Sequence, residues 1–233
     1  MIYDESQFMK AVLTCLFLLT VQSYDLIWHP HSGQELRYDL KIKADIGGKP
    51  FEFRSEVELK VKSVSPNGDY ELGTQFKNGV TSFDGQEEKV EEEAEDVQRY
   101  NRRGEPLDAS EDVEDATSEL LGQVSDFVPP DKPVRMYQNW TKEIPARKGL
   151  ELPAASATYT LVAAAKKDGR DVLRVDYSYA QKSGSNPVRA KGTFLLATED
   201  NSIVSVEAKV ENFSAGEGAP PAKATLSMVK KKS

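Results

Sequence analysis

The sequence predicts an all-β protein: two antiparallel β-meanders that form curved sheets or half-barrels, with one short helix and an acidic insert between them. Apolar and polar residues alternate with a period of two over many segments, and Gly-Gly and Asn-Gly pairs mark turns between them. No helical period separates consecutive strands, which excludes a parallel nucleotide-binding sheet. The expected units are residues 24–104, 105–127 and 128–233, after a leader at 1–23.

The leader has the features of a secretory signal peptide. Residues 9–23 (MKAVLTCLFLLTVQS) contain a lysine, an apolar run from Ala11 to Val21, and a small residue, Ser23, before the expected cleavage site. Two acidic residues before the lysine are atypical of such a peptide and favour a start at Met9. The run is shorter than the roughly 20 apolar residues that span a membrane. We therefore expect a periplasmic or secreted protein.

Cys15 is the only cysteine and lies inside this leader. Lipidation of Cys15 is disfavoured by Thr14 before it and by the apolar residues that continue past it. Cleavage after Ser23 would leave a mature chain without a thiol, so disulfides, thiolate metal sites and cysteine nucleophiles are not expected. A chain of about 200 residues can be stable from its core alone.

The first meander is predicted from three alternating runs and two turns. From Leu36 to Ile46 every second residue is apolar and the others are mostly charged, which is typical of a half-buried strand. After Gly47-Gly48 the pattern resumes from Phe51 to Val61, and Asn67-Gly68 turns the chain into a third strand. Lysine and glutamate side chains of neighbouring strands should pair on the outer face.

The second meander is predicted from five further runs, with turns at Lys167 to Gly169, Ser183 to Pro187, Asp200-Asn201 and Ser214 to Pro221. The residues expected on its inner face are Tyr159, Leu161, Ala163, Ala165, Leu173, Val175, Tyr177, Tyr179, Gly192, Phe194, Leu196, Val204, Val206, Ala208, Val210, Ala224, Leu226 and Met228. Strands with turns every ten to fifteen residues imply up-and-down antiparallel pairing, in one continuous sheet or in two packed sheets.

The insert between the meanders is strongly acidic, with fifteen acidic and four basic residues from Asp84 to Glu119. Residues 87–98 (EEKVEEEAEDVQ) have too few apolar positions for a buried helical stripe and predict a loop or a frayed helix. Arg99 to Arg103 predict a short strand, and Thr117 to Phe127 predict the one short helix, which Pro129-Pro130 would end.

Two segments, Gly33 to Tyr38 (GQELRY) and Pro130 to Trp140 (PDKPVRMYQNW), resemble a family of exported bacterial all-β proteins with no assigned function. Its members show G-x-x-L-R-Y in the first strand and P-x-x-P-V-x-x-G-x-x-W before the second meander. Tyr137 stands where that motif has glycine. The resemblance covers nearly all of the mature chain and implies two β-meanders, similar in shape to the half-barrels of periplasmic lipoprotein carriers. Likeness of fold does not imply function.

Few residues suggest chemistry. His29 and His31 are the only histidines and could form a metal pair, but Pro30 separates them and surface histidines are expected instead. The acidic insert lacks the spacing of a calcium loop, and a solvated loop is expected there. The sequence contains no G-x-S-x-G, H-E-x-x-H or phosphate-binding glycine loop, so neither an enzyme nor a cofactor is predicted. With no basic patch interleaved with aromatics, nucleic acid is not an expected partner.

The inner-face aromatic residues are first of all core candidates, but they could line a cavity for a lipid or another apolar ligand if the sheet is not fully covered. The cavity candidates are Tyr38, Phe53, Tyr70, Tyr177, Tyr179 and Phe194. The sequence therefore predicts an exported, non-enzymatic binding protein of the cell envelope. The alternative is a structural or assembly component of the envelope that acts through contacts with other envelope proteins.

Overall fold

The computed structural model describes residues 22–92, 94–107, 116–214 and 220–232. Most of the predicted leader, including Met9 and Cys15, therefore lies outside the described residues. The strands are β1 (Glu35–Ile46), β2 (Lys49–Val64), β3 (Tyr70–Phe83), β4 (Gln86–Lys89), β5 (Asp96–Tyr100), β6 (Asn139–Ile144), β7 (Ala155–Lys167), β8 (Arg170–Gln181), β9 (Arg189–Ala197), β10 (Ile203–Phe213) and β11 (Ala222–Lys230). The helices are α1 (Ala116–Ser125) and a 3-10 turn at Lys148–Leu150.

All of these strands belong to one antiparallel sheet in the order β4-β3-β2-β1-β11-β10-β9-β8-β7-β6, with β5 paired to β3 beside β4. The first and last long strands, β1 and β11, pair from Tyr38 opposite Lys230 to Asp45 opposite Lys223. This pairing joins the two meanders into one continuous sheet and confirms the all-β, antiparallel prediction. The strand order does not close on itself, since it ends at β4 and at β6.

One face of the sheet forms the core, as the alternating pattern predicts. On β1, Leu36, Tyr38 and Ile42 are buried while the charged residues between them remain accessible. The largest cluster of buried side chains extends from Ile42 and Leu226 across β10, β9, β8 and β7. Within the described ranges, no helix combines the length and apolarity needed to span a lipid bilayer.

Two segments outside the sheet cover this inner face. The predicted helix at Thr117 to Phe127 is confirmed as α1, and its Leu120 and Val124 are buried in the main cluster. The chain before β1 adds Leu26, which is 1% exposed, and pairs Tyr24 with Val134. The inner face of the second meander is therefore closed by α1 and by the N-terminal segment.

The prediction of a loop or frayed helix at residues 87–98 is wrong over part of its length. After a turn at Asp84-Gly85, β4 pairs with the end of β3, and β5 pairs with its beginning. Both strands lie at the border of the sheet, where acidic side chains of either face reach water, so no apolar stripe is needed. The predicted strand from Arg99 to Arg103 is shifted, because β5 ends at Tyr100 and a turn follows.

The prediction that Ala163 and Ala165 continue the inner face of β7 is also wrong. A bulge between Leu161 and Ala163 places Ala163 opposite the exposed Arg174, whereas Leu161 faces the buried Val175. An extra residue in one strand exchanges the two faces beyond it. The alternation of small residues after position 161 could not reveal this shift.

Candidate binding surfaces

The six predicted cavity residues lie on the inner face, and the structure buries five of them. Tyr38, Tyr179 and Phe194 are at most 1% exposed, and Tyr70 and Tyr177 are 6% exposed. Phe53 is half-buried and packs against the main cluster. Five of these side chains thus belong to a packed core, and among the six Phe53 alone is only half-buried.

Hydrogen bonds from tyrosine hydroxyls fix α1 over the second meander. Tyr177 donates to the carbonyl of Val124 at 2.6 Å, and Tyr179 donates to the side-chain oxygen of Gln123 at 2.9 Å. Burial raises the pKa of Tyr179 to about 12, so these hydroxyls stay protonated donors at neutral pH. The helix is therefore held by polar contacts as well as by its apolar side chains.

Small residues on the inner face do not leave free space at Gly192 or Ser55. A Cβ added at Gly192 would lie 2.6 Å from the ring carbon Cε1 of Tyr177 and 2.2 Å from the carbonyl oxygen of Glu207. Ser55 uses its hydroxyl to donate to the carbonyl of Lys77 at 2.9 Å, at a bulge between β2 and β3. The glycine thus makes room for an aromatic ring of the protein itself.

The first meander is covered less completely. Tyr38 donates to the carbonyl of Ile203 at 2.9 Å, and Tyr70 stacks on Tyr100 while its edge meets Trp28. Towards the β1–β2 turn, however, Phe76 and Phe83 remain 43% and 42% exposed. Part of the inner face of β2 and β3 is thus accessible.

The two histidines lie on the exposed segment before β1. The backbone N–H of His29 donates to the carbonyl of Asp200 at 2.9 Å, and that of His31 donates to the side chain of Gln34 at 3.2 Å. Among the described residues, no group of three or more histidine, cysteine or acidic side chains is close enough to hold a metal ion. These backbone contacts help to anchor the N-terminal segment.

Asp126, just after α1, is the most perturbed carboxyl group. The residue as a whole is exposed, and the carboxyl group is the part that neighbouring protein crowds. This desolvation, together with the charge of Glu119, raises the pKa of Asp126 to about 6. Its charge in turn acts on the hydroxyls of Tyr70 and Tyr159, which belong to opposite meanders. The carboxyl therefore lies where the two halves of the inner face meet.

On the outer face of β1, β2 and β3, every lysine and arginine has an acidic partner within 4.0 Å. Lys41 and Lys43 share Glu52, at 2.9 and 3.4 Å. Arg37 pairs with Glu58 at 3.0 Å, and Lys77 shares that same glutamate. These contacts and the charge of both cations lower the pKa of Glu58. The remaining pairs are Lys49 with Asp84, Arg54 with Glu87, Lys60 with Glu35 and Lys62 with Glu95. The predicted pairing of lysine with glutamate outside the first hairpin is confirmed.

A depression on the outer face over β10, β11 and β1 contains cations without such partners. This groove measures about 450 Å³ and is open to solvent. Its lining includes Lys43, Lys209, Lys223, Glu211 and Thr225, together with Ala44, Val210 and Ala224. Among the described residues, neither Lys209 nor Lys223 has an acidic group within 4.0 Å.

The register of the strands extends this groove towards β9. Thr225 lies opposite Lys43 on one side and opposite Lys209 on the other. Lys209 in turn lies opposite Lys191, and Glu211 lies opposite Arg189. Lys43, Thr225, Lys209 and Lys191 therefore form one row across four neighbouring strands, which we call the lysine row.

Sequence reasoning missed the lysine row, because its members are far apart along the chain and belong to different strands. The available signal was the excess of basic residues after position 120, where seventeen basic residues stand against twelve acidic ones. The outward positions of β9, β10 and β11 carry part of that excess. Only the strand pairing shows that these positions share one row.

Comparison with known proteins gives no family to which this chain can be assigned. No protein-family model matches the sequence, and no curated protein matches it.

Proposed function

We propose that this chain is an exported, non-enzymatic binding protein of the cell envelope, and that it binds its ligand on the outer face of the sheet. The observation that carries the proposal is the open groove with the lysine row beside it, where Lys191, Lys209 and Lys223 lack, among the described residues, the acidic partners that the cations of β1 to β3 have. An unpaired cation at a surface depression is available to an external anionic group.

The packing of the inner face supports the outer face as the binding surface. A ligand inside the sheet would have to displace α1, which the hydroxyls of Tyr177 and Tyr179 hold. It would also have to separate Phe194 from Tyr177, whose ring centroids are 4.8 Å apart. An apolar ligand would thus have only the accessible part of β2 and β3, around Phe53.

The test is a thermal-shift series on the full chain with fractions of cell envelope. A ligand that binds the folded state raises the melting temperature by mass action. We expect at least one fraction to raise it for the wild type and not for Lys209→Gln/Lys223→Gln. The matched control, Lys60→Gln/Lys62→Gln, removes two charges from the outer face of the first meander and should respond as the wild type does.

Three results would overturn this proposal. One is that no fraction changes the melting temperature, and another is that both double variants lose the shift equally. The third is a shift with lipid that persists in Lys209→Gln/Lys223→Gln, which would support the apolar ligand instead.

The second candidate function is a structural or assembly component of the envelope. It is favoured by β6, which ends the strand order and has a partner only on its β7 side among the described residues. A free strand edge can accept a strand from another protein. Crosslinking in the native host should then trap a neighbour at Thr141 or Glu143, whereas a protein that binds through its lysine row should give no adduct there.

Export itself is tested by the N-terminus of the mature chain. If residues 9–23 act as a signal peptide, the protein recovered from outside the cytoplasm should begin at Tyr24. N-terminal sequencing measures this, and a recovered chain that still contains Cys15 would contradict it.

A further inference from the structure

We propose that the lysine row binds a linear, phosphate-bearing polyanion that lies across the strands. This inference rests on the proposed function and names the chemical class of the ligand. It is drawn from the strand register, the lack of an acidic partner at Lys191 and Lys209 among the described residues, and the kinds of side chain present.

The geometry of the row fits an extended chain of anionic groups. Lys191 lies on β9, Lys209 on β10 and Lys43 on β1. Thr225, on β11, lies between Lys209 and Lys43. Neighbouring strands are about 4.8 Å apart, so the row extends over about 14 Å. A chain with charges at short, regular intervals could meet all three ammonium groups at once. A single small anion could meet two of them at most.

The charge pattern implies a missing partner. Lys209 and Lys191 lie directly opposite each other, and like charges in that position are destabilising. Arg189 and Lys223, on the same face, also lack an acidic group within 4.0 Å among the described residues. The nearby acids by register are Glu211, Glu207 and Asp45, and Glu52 pairs with Lys43. Within the row, Lys191 and Lys209 are the cations that have no acidic group within 4.0 Å among the described residues. An anion bound along the row would relieve this repulsion.

The side chains in the row suit phosphate groups and do not suit nucleic acid. Lysine binds phosphate oxygens as a compact point charge, and the row lacks the planar fork with which arginine binds carboxylate or phosphate bidentately. The hydroxyl of Thr225 adds a donor between two lysines. The lining of the groove contains no aromatic side chain on which a base could stack.

The experiment is calorimetric titration of the full chain with short linear inorganic polyphosphate at several salt concentrations. We expect saturable binding that weakens as salt rises, because bound counterions are released. Lys191→Gln and Lys209→Gln should each weaken binding about fivefold and lower the slope of log K against log salt by about one. Lys60→Gln, whose lysine pairs with Glu35 at 3.1 Å, is the control and should bind as the wild type does.

Three comparison ligands separate the sources of the anion. Orthophosphate should bind much more weakly than polyphosphate, since it cannot reach the whole row. Polyglutamate, which carries carboxylates at similar charge density, should bind more weakly as well. Vesicles of phosphatidylglycerol in phosphatidylcholine should not compete with polyphosphate, because a polymer threads along the row and a flat headgroup layer does not.

Equal binding of polyglutamate would overturn the assignment to phosphate, and vesicle binding that displaces polyphosphate would assign the row to a lipid surface instead. No binding of polyphosphate by the wild type would also overturn the inference. The proposed function can survive the failure of this inference. If an envelope fraction still stabilises the wild type but not Lys209→Gln/Lys223→Gln, the outer face remains the binding surface and only the ligand class is wrong.

Discussion

The two meanders share one sheet but use its faces differently. In the first meander, every basic residue of β1, β2 and β3 has an acidic partner, and part of the inner face near Phe76 and Phe83 remains accessible. In the second meander, the inner face is closed by α1, while the basic residues of β9, β10 and β11 have no acidic partner within 4.0 Å among the described residues.

The difference shows that core packing and surface charge are set independently along one sheet. Each exposed ion pair contributes only about 0–1 kcal/mol, so losing such pairs from the outer face of the second meander changes stability little. A closed core can therefore support a surface whose charges are not arranged for stability. The first meander has the opposite arrangement, because its outer-face charges are paired while apolar residues of its inner face remain accessible.

The largest expected effect is a substitution that overfills the second meander. Gly192→Ala should lower the free energy of unfolding by about 3 kcal/mol, because the new Cβ would overlap the carbonyl oxygen of Glu207 and the ring of Tyr177. Chemical denaturation monitored by tryptophan fluorescence measures the loss. A destabilisation below about 1 kcal/mol would show that β9 and β10 can separate locally and that the core is less rigid than the packing indicates.

Gly73→Ala in β3 is the matched control. Its Cβ would meet the side-chain ends of Glu95 and Lys62, at 2.2 and 2.8 Å, rather than backbone or a ring. Those long side chains can move aside, so the loss should be much smaller than at Gly192. Equal losses would mean that β-strand glycines are interchangeable here and that the Tyr177 contact has no special weight.

The next effect concerns a backbone position that links the two meanders. Tyr137 has φ +64° and is 76% exposed, an unfavourable conformation for a bulky residue. Tyr137→Gly should raise the free energy of unfolding by about 1 kcal/mol, because glycine adopts this conformation without steric cost. Asn78→Gly, at φ +54° in the first meander, should change stability much less, since asparagine tolerates this region. Thermal unfolding of both variants measures the contrast.

Whether a structural feature could be predicted from the sequence depends on how far apart its interacting residues lie along the chain. The strands from Leu36 to Val61 follow from local alternation, and α1 follows from spacing and from the prolines after it. These features depend on neighbours in the chain, which a single sequence displays.

The remaining features depend on pairing between distant segments. Residues 86–89 (QEEK) form a strand because β3 extends far enough to pair with them, and Ala163 changes face because of one bulge. The lysine row likewise needs the register of β9, β10, β11 and β1. No local pattern contains that register, so both the covering of the inner face and the location of the groove could not be predicted.

A smaller effect tests the electrostatic environment of the Asp126 carboxyl. Folding raises the pKa of this carboxyl from 3.8 to about 6, so the folded protein is more stable when the carboxyl is protonated. This stabilisation of the folded state is fully present below pH 3.8 and is lost as the pH rises through about 6. Asp126→Asn should therefore raise the melting temperature by about 2 °C at pH 8 and leave it unchanged at pH 3.5.

Glu105, which lies between β5 and α1, provides the control of opposite sign. Hydrogen bonds from Lys142 and Asn101 lower the pKa of this carboxyl, so its contribution is present above its ordinary pKa and is lost on acidification. Glu105→Gln should thus lower the melting temperature at pH 8 and not at low pH. If both variants showed the same pH dependence, a general charge effect rather than these local environments would be responsible.

The smallest effect is expected from variants that exchange the charge patterns on the outer faces of the two meanders. Lys191→Glu would place a carboxylate opposite Lys209 and turn a repulsive pair into an attractive one, as on β1 and β2. It should raise the free energy of unfolding by about 0.5 kcal/mol at low salt, with most of the gain lost at 1 M salt. Glu52→Lys in the first meander should do the reverse, because it removes the partner of Lys41 and Lys43. The same Lys191→Glu protein should bind polyphosphate more weakly although it is more stable. That opposition of stability and binding is expected only if the lysine row is kept unpaired for an external ligand.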